Sequence, residues 1–408
     1  MQLPESYSGI SASSRYSARV LCIDVPFATP NTDNQTVMAL FTEHKDLIGL
    51  PVVEEGKPFG MINRHIFLSQ MARPFFRELY DRKSCIAFMD KFPLVIEVET
   101  SLENVAQQVV ENGDKSVADG FILTEQGRYV GIGLGVDLIR RVSDLQAQQH
   151  QQILQSIEYA RVIQDAMLDR SNQLMARELR DWCLHWQPRD GVGGDYYAFH
   201  RHPHGWLAVI ADCTGHGIPG AFMTVILQSA LEYALREADI QAPATILNAL
   251  NRHIKQTLGQ LNASQQTSLS NDGCDAIVLS VNTELHQLRW ASARTLAFML
   301  GNVSDEIISL SQDRVGVGYT DTPEGYSWPE QVIPLSRGDM LFILTDGVTD
   351  QLGGERNIMF GKKRIQACLT RYQNLSMPAL SLAFQQDYLS WQGHQARRDD
   401  VTWFGFRY

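Results

Sequence analysis

Six cysteines are scattered over 408 residues without one CxxC pair. That spacing argues against both a zinc ribbon and a disulfide framework, and a reducing cytoplasm is expected. Long hydrophobic runs are missing too: no stretch approaches the roughly 20 apolar residues of a membrane span. The opening residues, MQLPESYSGISASSRYSARV, lack a basic start followed by an apolar run, so no secretory leader is expected. Positive charge is in deficit, with 35 Lys and Arg against 46 Asp and Glu, a net charge of −11. This disfavours nonspecific binding to nucleic acid or an anionic membrane. What is present is ordinary for a globular chain, 44% hydrophobic and 20% charged residues, and 408 residues imply two or three domains.

The first part of the chain repeats itself. LPVVEEGKPFGMINRHIFLSQM (50–71) parallels GFILTEQGRYVGIGLGVDLIRRV (120–142), with Gly56 and Gly127, like Gly60 and Gly131, standing 71 residues apart. Each copy reads strand, glycine turn, strand, helix. An amphipathic helix pattern precedes each: Val37, Leu40 and Phe41, then Leu102, Val105, Ala106 and Val109. Units this small bury too little apolar surface alone and are expected to pack together. The segment resembles a pair of cystathionine-beta-synthase (CBS) motifs, a regulatory module that often binds adenine nucleotides. The resemblance implies an α/β regulatory domain over 1–142. It also implies a ligand-contacting acid at Asp137, all that remains of a Thr/Ser-x-x-Asp signature in Leu134-Gly135-Val136-Asp137; Ile66 holds the corresponding place in the first copy. A nucleotide-binding module and a ligand-free dimerisation or docking module both stay open.

Residues 143–182 contain neither Pro nor Gly and are rich in Gln, Ala, Leu and Arg, so a helical linker is expected, with Ser143 able to cap its start. Ile153, Ile157, Ala160, Gln164 and Met167 follow heptad spacing. A parallel dimer coil, and hence a homodimer, is the favoured reading; a helix packed on its own domain is the other.

From 183 to 408, strand patterns alternate with helical ones. The strands are GGDYYAFHRH, GWLAVIAD, CDAIVLSVN, LRWASARTLAFMLG, DMLFILTDG and VTWFGFRY, with helices from Ala221 to Glu237 and Pro243 to Leu258. The fold class expected is α+β, multi-domain, with packed antiparallel sheets and outer helices. Carboxylates mark the strand ends: Asp195 opens one strand, Asp212 and Asp346 each close one, and Asp399–Asp400 precede the last. Clustered acids raise one another's pKa unless a cation lies among them. Hard ions such as Mg²⁺ or Mn²⁺ suit oxygen ligands, and two of them can polarise a water for in-line attack on phosphorus. Taken singly, Asp346-Gly347 is also a turn signal, Asp212 a helix cap, and Asp399–Asp400 a solvated pair. Spacing alone leaves both readings open.

GGDYY, ADCTGHGIPGAFMT, DGCDAIVLSVN, LSRGDMLFILTDGVTDQLGG and DDVTWFGF occur in that order. Together they resemble the PPM-type (type 2C-like) serine/threonine phosphatases of the bacterial SpoIIE/RsbU branch. The likeness covers about 183–408 and extends to SIEYARVIQDAM in the linker. It implies an αββα sandwich with two Mn²⁺ or Mg²⁺ ions. Asp195 and Asp212 would hold them beside the backbone carbonyl of Cys213, with Asp346 and Asp399 completing the second. Asp400 stands where many relatives carry Asn. The implied substrate is phosphoserine or phosphothreonine on a protein, a STAS-type anti-sigma-factor antagonist of a partner-switching pathway. A pseudophosphatase scaffold and a small-molecule phosphoesterase are the alternatives. Arg189 is a candidate for the substrate phosphate. His216 reads either as a general acid or as part of the turn. Asp272 and Asp275 are expected to serve a turn and a strand start, and Lys362–Arg364 a solvated face or a docking patch. No cation or base is evident beside Cys213 to activate its thiol as a nucleophile.

Overall fold

The computed structural model describes residues 16–261, 271–302 and 307–408. The expected absence of a leader falls largely on residues 1–15, outside the described residues. Contacts divide the chain after Ile153 into two compact units.

The first unit runs through Asn34–Glu43 (α1), Gly49–Glu54 (β1), Lys57–Asn63 (β2), Arg64–Met71 (α2), Phe76–Tyr80 (α3), Val95–Glu97 (β3), Leu102–Asn112 (α4), Asp114–Asp119 (α5), Phe121–Glu125 (β4) and Arg128–Gly133 (β5). The repeat extends to the backbone. Glu55-Gly56 and Gln126-Gly127 all have positive φ, which makes both connections two-residue hairpin turns of the type that matches strand twist. Both hairpins carry a register shift at the same place, after Val52 and after Leu123. Asp33 caps α1 through the Thr36 N–H, and Ser101 caps α4 through the Asn104 N–H. Each hairpin is completed by chain that leads into the other copy: Met61 exchanges backbone hydrogen bonds with Asp90, and Ile132 with Ile23. This crossing explains the repeated glycines. A Cβ on Gly60 would stand 2.5 Å from the Asp90 carbonyl oxygen, and one on Gly131 2.5 Å from that of Ile23. Val37, Phe41, Val105 and Val109 are buried as their spacing predicts.

One helix, Gly135–Glu178 (α6), contains the second copy's last helix and most of the expected linker. The expected cap at Ser143 is therefore wrong. With no Gly or Pro between Val136 and Glu178, nothing stops the earlier helix, and Ser143 lies inside it.

The second unit follows with Asp181–Gln187 (β6), Asp195–His202 (β7), Gly205–Cys213 (β8), Gly217–Glu237 (α7), Pro243–Thr257 (α8), Cys274–Asn282 (β9), Gln287–Ala293 (β10), Leu296–Leu300 (β11), Ile307–Ser309 (β12), Gln331–Pro334 (β13), Met340–Leu344 (β14), Asp346–Asp350 (α9), Leu352–Gly353 (β15), Ile358–Met359 (β16), Gly361–Tyr372 (α10), Met377–Gln392 (α11) and Val401–Arg407 (β17). Two five-stranded antiparallel sheets, ordered β13-β10-β9-β8-β7 and β12-β11-β14-β17-β6, form the centre. Alternation along β14 shows the layering. Leu341 and Ile343 join Phe404 and Phe406 in the core between the sheets, while Phe342 and Leu344 face Phe384 and Tyr388 of α11. Helices α7 and α8 cover the other sheet, which gives the expected αββα sandwich. LRWASARTLAFMLG is not one strand. It breaks at Arg294–Thr295, where the chain passes from one sheet to the other. Trp182, placed in the linker by sequence, belongs to β6.

The heptad seam divides as well. Gln164 is buried on its own unit, and Leu168, Ser171 and Met175 continue that face. Ser171 accepts the Phe199 N–H of edge strand β7, and Asn172 accepts the Tyr197 hydroxyl. Ile153 is exposed. Helix α7 corrects the composition reading, since its 21 residues are long and apolar enough for a membrane span by length and composition. Its Leu227, Leu231 and Ala234 are nevertheless part of the sandwich core.

Candidate active site

Three adjacent strands present a row of acids. In the β7–β8 ladder Asp195 stands opposite Asp212, and in the β8–β9 ladder Asp212 stands opposite Asp275. Asp195 is 1% exposed. Its Oδ2 accepts a 2.9 Å hydrogen bond from the Thr345 hydroxyl. Its Oδ1 is buried without a hydrogen bond of good geometry, and the nearby Thr402 hydroxyl offsets burial only in part. Burial pushes the Asp195 carboxyl well above the usual carboxylate range, and the negative charges of Asp400 and Asp346 add to this. Asp212 is raised in the same way, by burial first and then by Asp195 and Asp346, with which it shares a side-chain hydrogen bond. Asp346 is raised too, chiefly by desolvation. Asp399 adds its charge near Asp212 and Asp346.

The loop before Asp195 is clamped from two sides. Asp400, 2% exposed, accepts the Arg189 N–H at 2.7 Å and the Gly194 N–H at 2.6 Å. It therefore builds the loop from below, while Asp399 beside it stays partly open. From the other side Gln164 accepts the Gly193 N–H at 3.2 Å and donates to the Gly193 carbonyl at 2.8 Å. Glycine is needed here: a Cβ on Gly193 would stand 2.5 Å from the Asp400 carboxylate, and one on Gly194 2.6 Å from the Cys213 carbonyl oxygen. The role of Gln164 was invisible in sequence, because its heptad position accounted for it.

Among the described residues no three His, Cys, Asp or Glu side chains close into a metal cage by themselves. The donors that lie together are the paired carboxyls of Asp212 and Asp346, the orphaned oxygen of Asp195 and the neighbouring Asp399, and the Cys213 carbonyl next to Asp212 in the chain faces Gly194. An all-oxygen set containing a backbone carbonyl fits a hard divalent ion that keeps several of its waters. The Cys213 thiol is buried and held protonated by its contact with Cys274 and by desolvation, consistent with no nucleophilic role.

Asp212 does not cap α7; His216 occupies that position, between Gly215 and Gly217, both at positive φ. His216 turns its Nδ1 to Asp190 at 2.8 Å. Arg189 also binds Asp190, through Nε at 3.1 Å and Nη2 at 3.0 Å, and its Nη1 donates to the Arg398 carbonyl at 3.0 Å. Asp275 does start a strand, but it also faces the site. It lines a cavity of about 90 Å³ with Asp212, Arg294, Asp346 and Lys362, and burial raises its carboxyl to about 6 against the pull of Arg294. Sequence reading missed this cavity, since only strand register joins Asp275 to Asp212. In the first unit, Asp137 lies in the opening turn of α6 and pairs with Arg140 at 3.6 Å, and Ile66 is exposed on α2.

An αββα sandwich with oxygen donors gathered at one edge defines the architecture class of the metal-dependent type 2C phosphatases. The family model described as Stage II sporulation protein E (SpoIIE) matches residues 202–408, and the chain belongs to that family. A CBS domain model matches residues 19–73 of the first unit. The chain is 26% identical over 201 residues to phosphoserine phosphatase RsbU of Bacillus subtilis (strain 168), which is 49% of this chain and 55% of the relative. It thus spans about half the length of the curated relative it matches. Among solved structures, the SiaA-PP2C domain of Pseudomonas aeruginosa is similar, with a TM-score of 0.56 and 31% identity over 64% of this chain and 99% of that one.

Proposed function

We propose that the chain is a metal-dependent protein serine/threonine phosphatase, acting on a phosphorylated STAS-type anti-sigma-factor antagonist in the cytoplasm. The observation that carries this reading is the row of buried strand-end acids beside the Cys213 carbonyl, in a chain of the SpoIIE family. Asp195, Asp212, Asp346, Asp399 and the Cys213 carbonyl would hold two Mn²⁺ or Mg²⁺ ions, which supply Lewis acidity for water and phosphate. Thr345 orients Asp195, and Asp400 and Gln164 fix the loop that carries it. Arg189 reaches the phosphate by exchanging Asp190 for the substrate. Asp190 accepts from Nδ1 and orients His216, so that the doubly protonated ring would offer Nε2–H to the departing serine oxygen. The CBS-containing unit regulates turnover, with Asp137 as its candidate nucleotide contact, and the exposed part of the α6 seam around Ile153 is the dimer contact.

The test is phosphate release from a generic aryl phosphate by the full chain, with Mn²⁺, Mg²⁺ or EDTA, beside Asp346→Asn. Mn²⁺-dependent release that the variant lacks supports the reading. No release from either the full chain or residues 154–408 under any condition sinks it in favour of a scaffold.

A further inference from the structure

The cavity beside Asp212 and Asp346 contains an arginine that the metal reading does not use. Arg294 sits where the chain crosses between the sheets, with φ +63°, a left-handed backbone that residues with long side chains rarely adopt. Glycine would satisfy that turn without strain. Strain of this kind persists where the surrounding structure imposes it, and it clusters at functional sites. The side chain is held on three sides. Nε donates to the Arg314 carbonyl at 2.8 Å, Nη1 lies 3.5 Å from Asp275 Oδ1, and the guanidinium lies over the Tyr319 ring at 5.2 Å. Nη2 is left without a hydrogen bond among the described residues, and the side chain is 40% exposed. Lys362, in the first turn of α10, lines the same cavity.

A guanidinium fixed in place, with an open edge, beside acids that would hold divalent ions, has the geometry of a phosphate receptor. We propose that Arg294, supported by Lys362, binds the phosphate oxygens of the substrate in this cavity, which Arg189 does not line. Pairing with Asp275 does not exhaust it, because that contact engages only Nη1. Whereas the fork of Arg189 is already spread over Asp190 and Arg398, Arg294 keeps a free edge in the absence of substrate. This inference rests on the phosphatase reading for the identity of the substrate, but not for the binding of phosphate itself.

Arg294→Gly is the useful variant, because glycine suits the local backbone and should leave the fold intact. The full chain, loaded with Mn²⁺, is titrated with inorganic phosphate by calorimetry, and KM is measured on an aryl phosphate. Phosphate affinity should fall and KM rise by about tenfold, the size of one lost charge-assisted contact. The circular dichroism spectrum and Mn²⁺ affinity should be retained, whatever the lost Arg314, Asp275 and Tyr319 contacts do to the melting temperature. Arg294→Lys should recover part of the loss, since it restores charge without the fork. Phosphate affinity in Arg294→Gly within about twofold of wild type overturns the assignment, as does a loss that merely follows loss of Mn²⁺. A wild type that binds phosphate through Arg294 but turns nothing over supports the assignment and defeats the phosphatase reading. A wild type that binds no phosphate overturns the assignment, while release from the aryl phosphate decides the phosphatase reading separately.

Discussion

Replacing Asp195 by Asn should stabilise the metal-free protein while ending its activity. In the wild type one carboxylate oxygen has the Thr345 hydroxyl and the other faces the unsatisfied Thr402 hydroxyl, under the potentials of Asp400 and Asp346. Asparagine keeps the first bond through its carbonyl, and its amide can donate to Thr402. An uncompensated buried charge costs roughly 3–5 kcal/mol. Part of that is relieved because the raised pKa lets Asp195 take up a proton, so a gain of about 1–3 kcal/mol is expected. At about 2–4 °C per kcal/mol for a unit of this size, the melting temperature in EDTA near neutral pH rises by roughly 2–12 °C. The sign with pH follows from the raised carboxyl. The charge penalty is absent below the ordinary carboxylate pKa of about 3.9, grows as pH rises from there toward the higher folded-state value, and is constant above it. The advantage of the variant should therefore vanish toward about pH 4 and be largest in the alkaline half of a pH series. Calorimetric melts of both proteins in EDTA check this, and saturating Mn²⁺ should reverse the order, because the wild type keeps the stronger site. A variant that melts at or below the wild type in EDTA throughout the series would refute the claim that the carboxylate is penalised.

Asp212→Asn should cut Mn²⁺-dependent phosphate release by at least about a hundredfold while the circular dichroism spectrum is retained, if Asp212 holds the metals as proposed. Gln164→Leu leaves the buried Gly193 N–H and C=O unpaired, at roughly 1–3 kcal/mol each, and should lower the melting temperature of residues 154–408. Gly347→Ala drives a Cβ into the Asp400 carbonyl; the soluble, folded fraction should collapse on gel filtration, and wild-type behaviour would mean that the loop yields. Ile153→Asp with Ile157→Asp should convert a dimer to a monomer by light scattering if the exposed seam is the contact.

Much of the site could be read before any coordinates, because the acids sit where apolar runs end, and runs are visible in a sequence. Asp195, Asp212 and Asp346 needed only that. Asp275 did not, because its neighbour Asp212 is 63 residues away in sequence and meets it only through ladder register. The break at Arg294 was hidden for a related reason: arginine is not a turn signal, and the apolar pattern on both sides runs on as one strand. Gln164 fitted a heptad so well that its other partner, the Gly193 backbone, had no signature left. The start of α6 was missed because Ser143 is a good cap in a place where no helix begins, while the repeat hairpins were legible down to their glycines.

The reciprocal pairing in the first unit has a consequence for how that unit can fail. Since Asp90 closes the hairpin of the first copy and Ile23 that of the second, neither half is a self-sufficient folding unit. Opening one bares the backbone edge of the other, so the two should be lost in a single transition, with matched amide exchange at Met61 and Ile132. A cut or insertion near Ile23 would then wound the hairpin more than a hundred residues downstream as well as the nearer one, which Ala28 joins at Val52.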